Sequence, residues 1–355
     1  MKLSGSLMDK VVVDLKKNVD DSYEILIGTG FIGSEISSFE AEGNALFLVD
    51  ENVYNLYYEL FSQTDCFVFR AEEKRKNFDS VKDVLSFFKK KKVHRKNVLV
   101  SVGGGITGDV GGFAASVYMR GIPFVNIPTT FLSMVDSSVG GKTGINFDGV
   151  KNLVGAFYQP QKVFIDTDFL DTLSDEEFMS GFAEVIKYAA IFDRNFFDEL
   201  KRPENLQNSE FLRYVIRKCC EIKAEIVKLD EREGGVRRLL NFGHTVGHAV
   251  ETDSGHTVKH GHAVAVGMYY ETLFAFRRDE ADKEMLEELL DILTLYEYDI
   301  DYKISNDTQF LDALKSDKKA SDSKLVLAVT PHIGKGSIIE DVSADELMEC
   351  VKESV

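Results

Sequence analysis

Cysteine, proline and long apolar runs are scarce in this 355-residue chain, and each scarcity excludes a class of protein. The four cysteines have no spacing typical of a disulfide framework or a zinc ribbon, so we expect a reducing compartment. No apolar stretch approaches the ~20 residues that span a bilayer, and the amino-terminal segment lacks the apolar core of a signal peptide. With only five prolines and 44% apolar residues, the chain is not disordered. We therefore expect a globular, cytoplasmic protein with no membrane partner.

Positive charge is also in deficit. Aspartate and glutamate number 59 against 42 lysines and arginines, which gives a formal net charge of −17. Such a surface repels polyphosphate backbones, so nucleic acid is excluded as a partner, and an anionic substrate needs a local pocket of lysine and arginine. The one dense basic cluster, KKKKVHRK at 89–96, is interpreted as the solvated end of a helix rather than as a binding patch.

The chain is too long for one ordinary hydrophobic core. Its two halves also differ in sequence pattern. In the first half, β-branched and aromatic runs alternate with helical patterns, which is typical of a largely parallel sheet; strands are expected at 23–27, 45–49, 66–70, 97–102, 124–128 and 162–166. Amphipathic stretches then follow at 175–200, 209–232, 262–278 and 281–296. The sequence predicts an α/β domain over 1–172 and a mainly α-helical domain over 173–355, with Ser174 or Asp175 capping the first helix.

A glycine motif follows the first expected strand. Gly28, Gly30 and Gly33 spell GxGxxG, and Asp50 ends the next strand about 20 residues later, which is the spacing of a dinucleotide-binding fingerprint. A glycine-permitted turn between a strand and a helix explains the same residues. Spacing alone supports the two interpretations equally.

A second glycine-rich loop, 103–116, follows the strand at 97–102. Its triple glycine, 103–105, exposes backbone N–H groups that can bind a pyrophosphate together with the positive end of the next helix. Close packing of a helix on the sheet explains Gly111 and Gly112 but not the triple glycine, so the phosphate interpretation is favoured.

A polar, glycine-rich segment, 128–152, comes directly after a buried strand. Loops at the carboxyl ends of parallel strands build ligand crevices, and a loop of this length is usually functional. This one carries Asp136, Lys142, Lys151 and Asn152. It thus supplies the local positive charge that an acidic protein needs for an anionic ligand.

Five of the seven histidines fall within 19 residues, at positions 244, 248, 256, 260 and 262. Such clustering favours a metal site over satisfied core histidines. Spacing alone places His244 and His248 on one helical face as two ligands, which a histidine of the second group would complete. Glu184 could add an oxygen ligand, because its segment GFAEVIKY is too apolar for an ordinary surface pair between Glu184 and Lys187.

The order and spacing of these motifs closely resemble those of the bacterial 3-dehydroquinate synthases, in the sugar-phosphate cyclase group. The resemblance covers nearly the whole chain and rests on GGGITGD, YMRGIPFVNIPTT, VDSSVGGKT, KNLVGAFYQP, FAEVIKY, LNFGHTVGHAVE and KHGHAVAVGM. It implies an α/β nucleotide-binding domain and a helical domain that binds metal and substrate. It also implies that the triple-glycine loop binds the pyrophosphate and that the first glycine motif is structural.

The resemblance implies individual site residues as well. NAD would contact Asp50, Asn52, Glu73, Lys76, Gly104, Gly105, Asp109, Thr129, Thr130, Lys142, Lys151, Phe169 and Thr172. A divalent metal, Zn²⁺ or Co²⁺, would bind Glu184, His244 and His260, which corrects the pairing drawn from spacing, since His248 would face the substrate phosphate.

The remaining implied residues concern the substrate. Near its phosphate would lie Lys142, Asn152, Asn241, His248 and one of Lys318 and Lys319, with Arg120 reaching across a homodimer interface; Lys151 would also bind the substrate. Its carboxylate would meet Lys223 and Arg237, and its ring hydroxyls Asp136 and Lys187. The catalytic members would be Lys142, Lys187, Asp136, His248 and Asn241. One departure is visible, because His262 replaces the glutamate of the family's usual HGE.

The implied activity converts 3-deoxy-D-arabino-heptulosonate 7-phosphate into 3-dehydroquinate and phosphate, in the shikimate pathway of aromatic amino acid biosynthesis. Its steps are oxidation by NAD, β-elimination of phosphate, return of the hydride and intramolecular aldol closure. Three rivals remain: a sister cyclase acting on a sugar phosphate without a carboxylate, a metal-dependent alcohol dehydrogenase, and a non-catalytic NAD-binding regulator. Lys223 and Arg237 argue against the first, the phosphate residues against the second, and the complete residue set against the third.

Overall fold

The computed structural model describes residues 20–316 and 324–353. Its strands are β1 (Glu24–Gly28), β2 (Ala45–Asp50), β3 (Cys66–Phe69), β4 (Val98–Gly103), β5 (Phe124–Pro128), β6 (Lys142–Phe147), β7 (Val150–Phe157), β8 (Lys162–Asp166), β9 (Leu325–His332) and β10 (Lys335–Val342). Its α-helices are α1 (Ile32–Glu42), α2 (Glu51–Leu56), α3 (Tyr58–Phe61), α4 (Phe78–Lys90), α5 (Gly105–Val117), α6 (Asp175–Phe192), α7 (Arg194–Leu200), α8 (Ser209–Leu229), α9 (His244–Asp253), α10 (His260–Arg277), α11 (Lys283–Leu295), α12 (Asp307–Ser316) and α13 (Ala344–Lys352).

Six parallel strands form the sheet of the amino-terminal half, in the order β1-β8-β5-β4-β2-β3. Val100 and Val102 in the central strand β4 are fully buried. A strand that helices cover on both faces needs apolar side chains throughout, and such apolar runs can be read from the sequence. All six expected strands are present. Because the strands are parallel, the segments that follow β4 and β5 meet at one edge of the sheet.

The helical half begins where the sequence predicts. Ser174 caps α6 by accepting a hydrogen bond from Glu177 N at 3.3 Å. The helix expected over 175–200 is two helices, because Asp193 has an extended backbone (φ −152°) and caps α7 through Phe196 N at 3.0 Å. In the part of the chain that the structure describes, no helix combines the length and apolarity needed to cross a bilayer.

The segment 128–152 differs from the open loop that its polarity suggests. A π-helical turn, Ser133–Ser137, follows β5, and β6 and β7 then form an antiparallel hairpin. The two residues at its tip, Asp148 and Gly149, have φ of 51° and 79°, as a type I′ turn requires. The loop expectation is therefore wrong here, and the Asp-Gly pair is the sequence signal for the hairpin.

One apolar cluster joins the two halves of the fold. It contains Phe131 and Phe164 from the amino-terminal half and Phe182 from α6. Helix α6 lies directly on the backbone after β5, because a Cβ at Gly181 would come within 2.4 Å of Leu132 N. This contact carries the middle of α6 to the ligand-binding edge of the sheet. The domain boundary at 172/173 stays a prediction.

Candidate functional site

A protein carboxylate caps the first glycine motif. Asp166, the last residue of β8, accepts hydrogen bonds at 2.8 Å from the backbone N–H groups of Gly30, Phe31 and Ile32. These are the groups with which the amino terminus of a helix binds phosphate. Since Asp166 already occupies them, the geometry supports the turn interpretation of this motif over the dinucleotide fingerprint.

The triple-glycine loop ends at the amino terminus of α5, which no described side chain caps. Gly104 is the N-cap and Gly105 the first helical residue. The loop lies against the segment after β5, because Thr129 N donates to Gly103 O at 3.0 Å and a Cβ at Gly104 would come within 3.0 Å of the Thr130 methyl group. This helix end can therefore offer its N–H groups to a phosphate.

Gly111 and Gly112 pack α5 against its neighbours, as the sequence predicts. A Cβ at Gly112 would lie 2.4 Å from Thr143 Cγ2 in β6, and one at Gly111 would lie 2.8 Å from a side chain of β4. A Cβ at Gly103 would also collide, at 2.6 Å from the Thr107 hydroxyl. Packing thus explains one glycine of the triple as well, and leaves Gly104 and Gly105 for the phosphate interpretation.

Several residues expected to bind the nucleotide come together beside this loop. The buried ammonium of Lys76 lies 2.5 Å from Asp109 Oδ2 and 2.5 Å from Asn152 Oδ1. Glu73 Oε1 accepts a hydrogen bond from Asn146 Nδ2 at 2.7 Å. Lys76 therefore connects α5 to the β6–β7 hairpin.

Other residues expected at the nucleotide also have structural partners. Asp50 caps α2 by accepting from Asn52 N at 2.8 Å, and burial raises the pKa of Asp50. The Thr172 hydroxyl lies 2.9 Å from the Tyr57 hydroxyl, and the Tyr57 ring packs edge-on against Phe169. Tyr57 therefore joins the segment after β2 to the segment after β8.

A buried carboxylate and two histidines form a three-residue cluster. Nε2 of His244, the first residue of α9, and Nε2 of His260, the first residue of α10, each lie 3.4 Å from Glu184 Oε1. His244 Nδ1 lies 3.2 Å from the Phe242 carbonyl oxygen, so a proton on Nδ1 leaves the Nε2 lone pair facing the cluster. One donor atom from each of the three residues falls within 4.8 Å of the other two. One oxygen and two nitrogen donors suit an ion such as zinc.

The electrostatics of Glu184 and His244 also fit a divalent ion. Glu184 is fully buried and forms an ion pair with Lys187 through Oε2, while its Oε1 faces His244 and His260. Burial alone would raise the pKa of Glu184, but Lys187 and the two histidines hold it at about 2. Burial and the Lys187 charge lower the pKa of His244 to about 3. Ionised carboxylate and neutral imidazole are the forms that bind metal.

Glu251 is a buried carboxylate that the sequence analysis missed. Its Oε1 lies 3.6 Å from His260 Nδ1 and 3.1 Å from Lys151 Nζ. Burial opposes protonation of His260, but its carboxylate neighbours raise the pKa of His260 to about 9. His248 shares with Glu251 and His260 a second group of closely spaced donor atoms. His248 is therefore beside the three-residue cluster but not within it.

Two of the expected substrate residues, Lys223 and Lys187, act on the carboxylate of a third, Asp136. Lys223 Nζ donates to Asp136 Oδ1 at 2.8 Å and to Asp136 O at 2.6 Å, and the Tyr188 hydroxyl donates to the same carboxylate. Burial would raise the pKa of Asp136, but Lys223 and Lys187 hold it far below its usual range. Asp136 thus stays ionised between two lysines.

Arg237 lies under the same segment and is 1% exposed. Its guanidinium donates to Glu231 O at 2.5 Å and to Gly140 O at 3.2 Å, and it lies 5.9 Å from the centre of the Phe157 ring. Both hydrogen-bond acceptors are uncharged carbonyl oxygens, and no described carboxylate forms an ion pair with Arg237. A buried positive charge is left for an anion to balance.

Glu233 links two residues expected at the substrate phosphate. Its Oε2 lies 2.5 Å from Lys142 Nζ, and its Oε1 accepts a hydrogen bond from Asn241 Nδ2 at 3.0 Å. The backbone of Glu233 is left-handed, with φ of 61°, in the loop between α8 and α9. The sequence analysis missed Glu233 because nothing nearby in the sequence marks it as a partner of Lys142.

Other expected residues lie apart from this group. Arg120 is exposed, follows Met119 in a pair of left-handed residues, and forms no ion pair with the described acidic residues. Lys318 and Lys319 lie outside the described residues. His262 packs its ring 5.3 Å from that of Tyr298 and belongs to neither donor group found in the described ranges.

Comparisons with known proteins agree with these motifs. The family "3-dehydroquinate synthase N-terminal" matches residues 66–180, and "3-dehydroquinate synthase C-terminal" matches residues 181–320. A 3-dehydroquinate synthase of Caldanaerobacter subterraneus subsp. tengcongensis is 38% identical over 97% of this chain and 100% of its own length. One from Alkaliphilus metalliredigens is 40% identical over 94% of this chain and 95% of its own length.

Solved structures share the fold. The 2-epi-5-epi-valiolone synthase of Streptomyces hygroscopicus subsp. jinggangensis, with NAD⁺ and Zn²⁺ bound, has a TM-score of 0.86 at 26% identity, over 97% of this chain and 100% of that one. A 2-deoxy-scyllo-inosose synthase has a TM-score of 0.83 at 24% identity, over 93% of this chain and 96% of that one, a likeness of fold alone. The expected fold class, a parallel-rich α/β half with a mainly helical half, is confirmed. On its family matches and full-length relatives, the chain belongs to the 3-dehydroquinate synthase family.

Proposed function

We propose that this protein converts 3-deoxy-D-arabino-heptulosonate 7-phosphate into 3-dehydroquinate and phosphate, as a carbon–oxygen lyase of the shikimate pathway. The observation that carries the proposal is the cluster of Glu184, His244 and His260, whose two imidazoles lie 3.4 Å from one buried carboxylate oxygen. The cations of the β6–β7 hairpin adjoin this cluster through the pair of Lys151 and Glu251. A simple dehydrogenase needs a nucleotide-binding loop and a metal site but does not need a pocket for a substrate phosphate.

Two cofactors fit these residues. NAD would follow the carboxyl edge of the sheet, with its pyrophosphate at the amino terminus of α5. Zn²⁺ or Co²⁺ would be held by the three-residue cluster, and the buried Glu184 Oε1, which both imidazoles face at 3.4 Å, supports that assignment. When bound, NAD accepts and returns a hydride while the metal ion polarises the substrate hydroxyl. The structure of the valiolone synthase with NAD⁺ and Zn²⁺ bound supports both cofactors.

The side chains of this chain would hold the charges of the substrate. Lys142, Asn152 and Asn241 would bind the phosphate and stabilise its charge as it leaves by β-elimination. The present partner of Lys142 is a carboxylate, that of Glu233, which an incoming phosphate would replace. His248, beside the cluster, would face the same phosphate.

The other end of the substrate would meet a second set of cations. Lys223 and Arg237 would bind the substrate carboxylate, and the buried charge of Arg237 would then be balanced. Lys187 and Asp136 would contact ring hydroxyls, and Lys223 and Lys187 together keep the Asp136 carboxylate ionised. This set is the feature that favours a carboxylated substrate over the sugar phosphates of sister cyclases.

A homodimer would complete the site through Arg120. This arginine lies beside Val117 and Met119, which are 45% and 43% exposed, and an apolar groove lined by Val117 and Phe78 adjoins them. Exposed apolar side chains grouped in this way support an interface between copies of the chain. Four free thiols support a cytoplasmic location. Nucleic acid is not a proposed partner, given the net charge of −17.

The test is incubation of the metal-loaded protein with the heptulosonate phosphate and substoichiometric NAD. Inorganic phosphate and the NADH absorbance band are followed together, and the product is identified by NMR. We expect many phosphates per NAD, no net NADH, and 3-dehydroquinate as product. Formation of one NADH per substrate consumed would show that the protein is a dehydrogenase. The absence of any reaction would favour a non-catalytic NAD-binding protein. Faster turnover of sedoheptulose 7-phosphate would make it a sister cyclase.

A further inference from the structure

Helix α9 begins at a residue proposed to bind metal, and its amino terminus has no cap from its own segment. The N-cap is Gly243, with φ of 77°, and no side-chain oxygen there receives the first N–H groups of the helix. A helix terminus without such a cap leaves up to four N–H groups to be satisfied elsewhere. The position of the His244 imidazole depends on how this terminus is held, because His244 is the first helical residue.

Glu271, three turns along α10, supplies the missing cap. Its Oε2 accepts a hydrogen bond from Gly243 N at 2.7 Å, and its Oε1 accepts one from Val246 N at 3.0 Å. Glu271 has no exposed surface. It lies eleven residues after His260, a separation of about three helical turns, so both residues lie on one face of α10. The same helix therefore carries one proposed ligand and the group that holds the other.

Close packing holds the start of α9 against α10 beside this carboxyl group. A Cβ at Gly267 would lie 1.9 Å from Gly243 O, and one at Gly243 would lie 2.7 Å from Val264 O. The backbones at the start of α9 and in α10 are therefore in direct contact where the two helices cross. An N–H group that loses its acceptor at such a contact stays unsatisfied, and the terminus must shift to recover a partner.

We propose that Glu271 is a positioning residue for the metal site: it fixes the start of α9 and thereby aims the His244 imidazole at Glu184. Glu271 is not itself among the donor groups that the described residues place within reach of one ion. The inference rests on the proposed metal site but concerns a residue that neither the motifs nor the donor geometry include. Groups that orient metal ligands typically change metal affinity about 10- to 100-fold when altered.

The test compares zinc binding in wild type, Glu271→Gln and Glu271→Asp. The affinity is measured by competition with a chromogenic chelator, and the release rate by transfer of zinc to that chelator. Glutamine keeps the size of the side chain but offers one acceptor, and aspartate keeps the carboxyl group but is one methylene too short. Both variants should bind zinc about tenfold or more weakly and release it faster.

Asp253→Asn is the matched control, because Asp253 is a buried carboxylate at the far end of the same helix. It accepts hydrogen bonds from Ser305 N and Asn306 N, both at 2.8 Å, and from the Tyr302 hydroxyl at 2.7 Å. This variant should lower the melting temperature of the metal-free protein as Glu271→Gln does but leave zinc affinity unchanged. Equal zinc affinity in wild type and Glu271→Gln would overturn the inference, whatever the melting temperatures.

A measurement on the unaltered protein tests the same coupling without a variant. If the start of α9 and the metal stabilise each other, removing zinc should speed hydrogen exchange at the amides of Gly243 and Val246. Unchanged exchange at these two amides would overturn the inference. Wild type that binds neither Zn²⁺ nor Co²⁺ would instead refute the proposed metal site, so the two failures are distinguishable.

Discussion

The carboxylate of Glu233 lies 2.5 Å from the ammonium of Lys142. Asn241 binds the other oxygen of this carboxylate at 3.0 Å, so Glu233 holds two of the residues proposed for the substrate phosphate. A carboxylate and a phosphate compete for the same donors, and an anion that reaches Lys142 must displace Glu233. We expect the loop between α8 and α9 to move when the substrate binds.

Glu233→Gln should tighten the binding of inorganic phosphate. The amide keeps the size of the side chain but removes the charge that competes for Lys142, which is 49% exposed. Solvent screens a pair of that exposure, so the expected gain in affinity is about fivefold, or ~1 kcal/mol. Isothermal titration calorimetry with phosphate measures it. Glu231→Gln is the control, because Glu231 lies on the same loop but binds Gln159, and identical affinities in both variants would show that Glu233 does not compete.

Single substitutions in the histidine cluster should divide metal ligands from substrate residues. Glu184→Gln, His244→Ala and His260→Ala each remove one of three donors, so bound zinc should fall well below one ion per chain. His248→Ala should keep its zinc, because His248 is proposed to face the phosphate. Elemental analysis after dialysis gives the zinc content of each variant.

The control for the histidine series is His262→Ala, which removes an imidazole from the same helix but not from either donor group of the described residues. It should retain zinc. Zinc lost from His248→Ala but retained in His260→Ala would mean that the metal ligands are assigned wrongly, because His260 belongs to both donor groups of the described residues.

Arg120→Ala should be rescued by a partner chain that is inactive for another reason. When it is mixed with a Lys187→Ala chain, each heterodimer has one site with an intact Lys187 and an intact Arg120 from the partner. Random exchange makes half of the dimers mixed, so about a quarter of wild-type activity should return. Arg120→Lys should stay impaired, since a lysine cannot bind phosphate with two parallel hydrogen bonds. Inactivity despite verified exchange of subunits would place Arg120 in the site of its own chain or outside any site.

Paired substitutions should distinguish the two glycine loops. Asp166→Asn weakens the acceptor for three N–H groups at the start of α1, and should lower the free energy of unfolding by about 2 kcal/mol while leaving NAD affinity unchanged. Gly104→Ala adds a methyl group at the proposed pyrophosphate loop, and should weaken NAD binding about tenfold, or ~1.4 kcal/mol. Urea unfolding and NAD titration measure the two effects. If Asp166→Asn weakened NAD binding and Gly104→Ala did not, the first glycine motif would be the NAD-binding loop.

Local sequence was sufficient for the elements of this fold. Each of the six parallel strands begins within one residue of its expected start. The inner strands β2, β4, β5 and β8 are apolar because they are largely buried on both faces, whatever lies elsewhere in the chain. The cap at Ser174 is equally local, since its partner is three residues away. The hairpin of β6 and β7 was missed although Asp148 and Gly149 marked its turn.

The carboxylates that hold the site residues in place were harder to predict from the sequence. Glu251 lies seven residues after His244, two turns along one helix, and that spacing was a usable signal. Glu233 and Glu271 had no comparable signal, because their partners are set by how α8, α9 and α10 pack rather than by any period in the sequence.

The order of the parallel strands, the two glycine loops and the types of side chain available for metal, nucleotide and phosphate follow from the amino-acid sequence. Which of these side chains meet depends on how distant elements pack. Asp166 fills the first glycine turn from 134 residues away, and Lys76 joins Asn152 across 76 residues. The donor–acceptor distance of a hydrogen bond can vary by only a few tenths of an ångström. Periodicity along a chain encodes which face of an element is buried, whereas distances of that kind are set by the packing of distant elements.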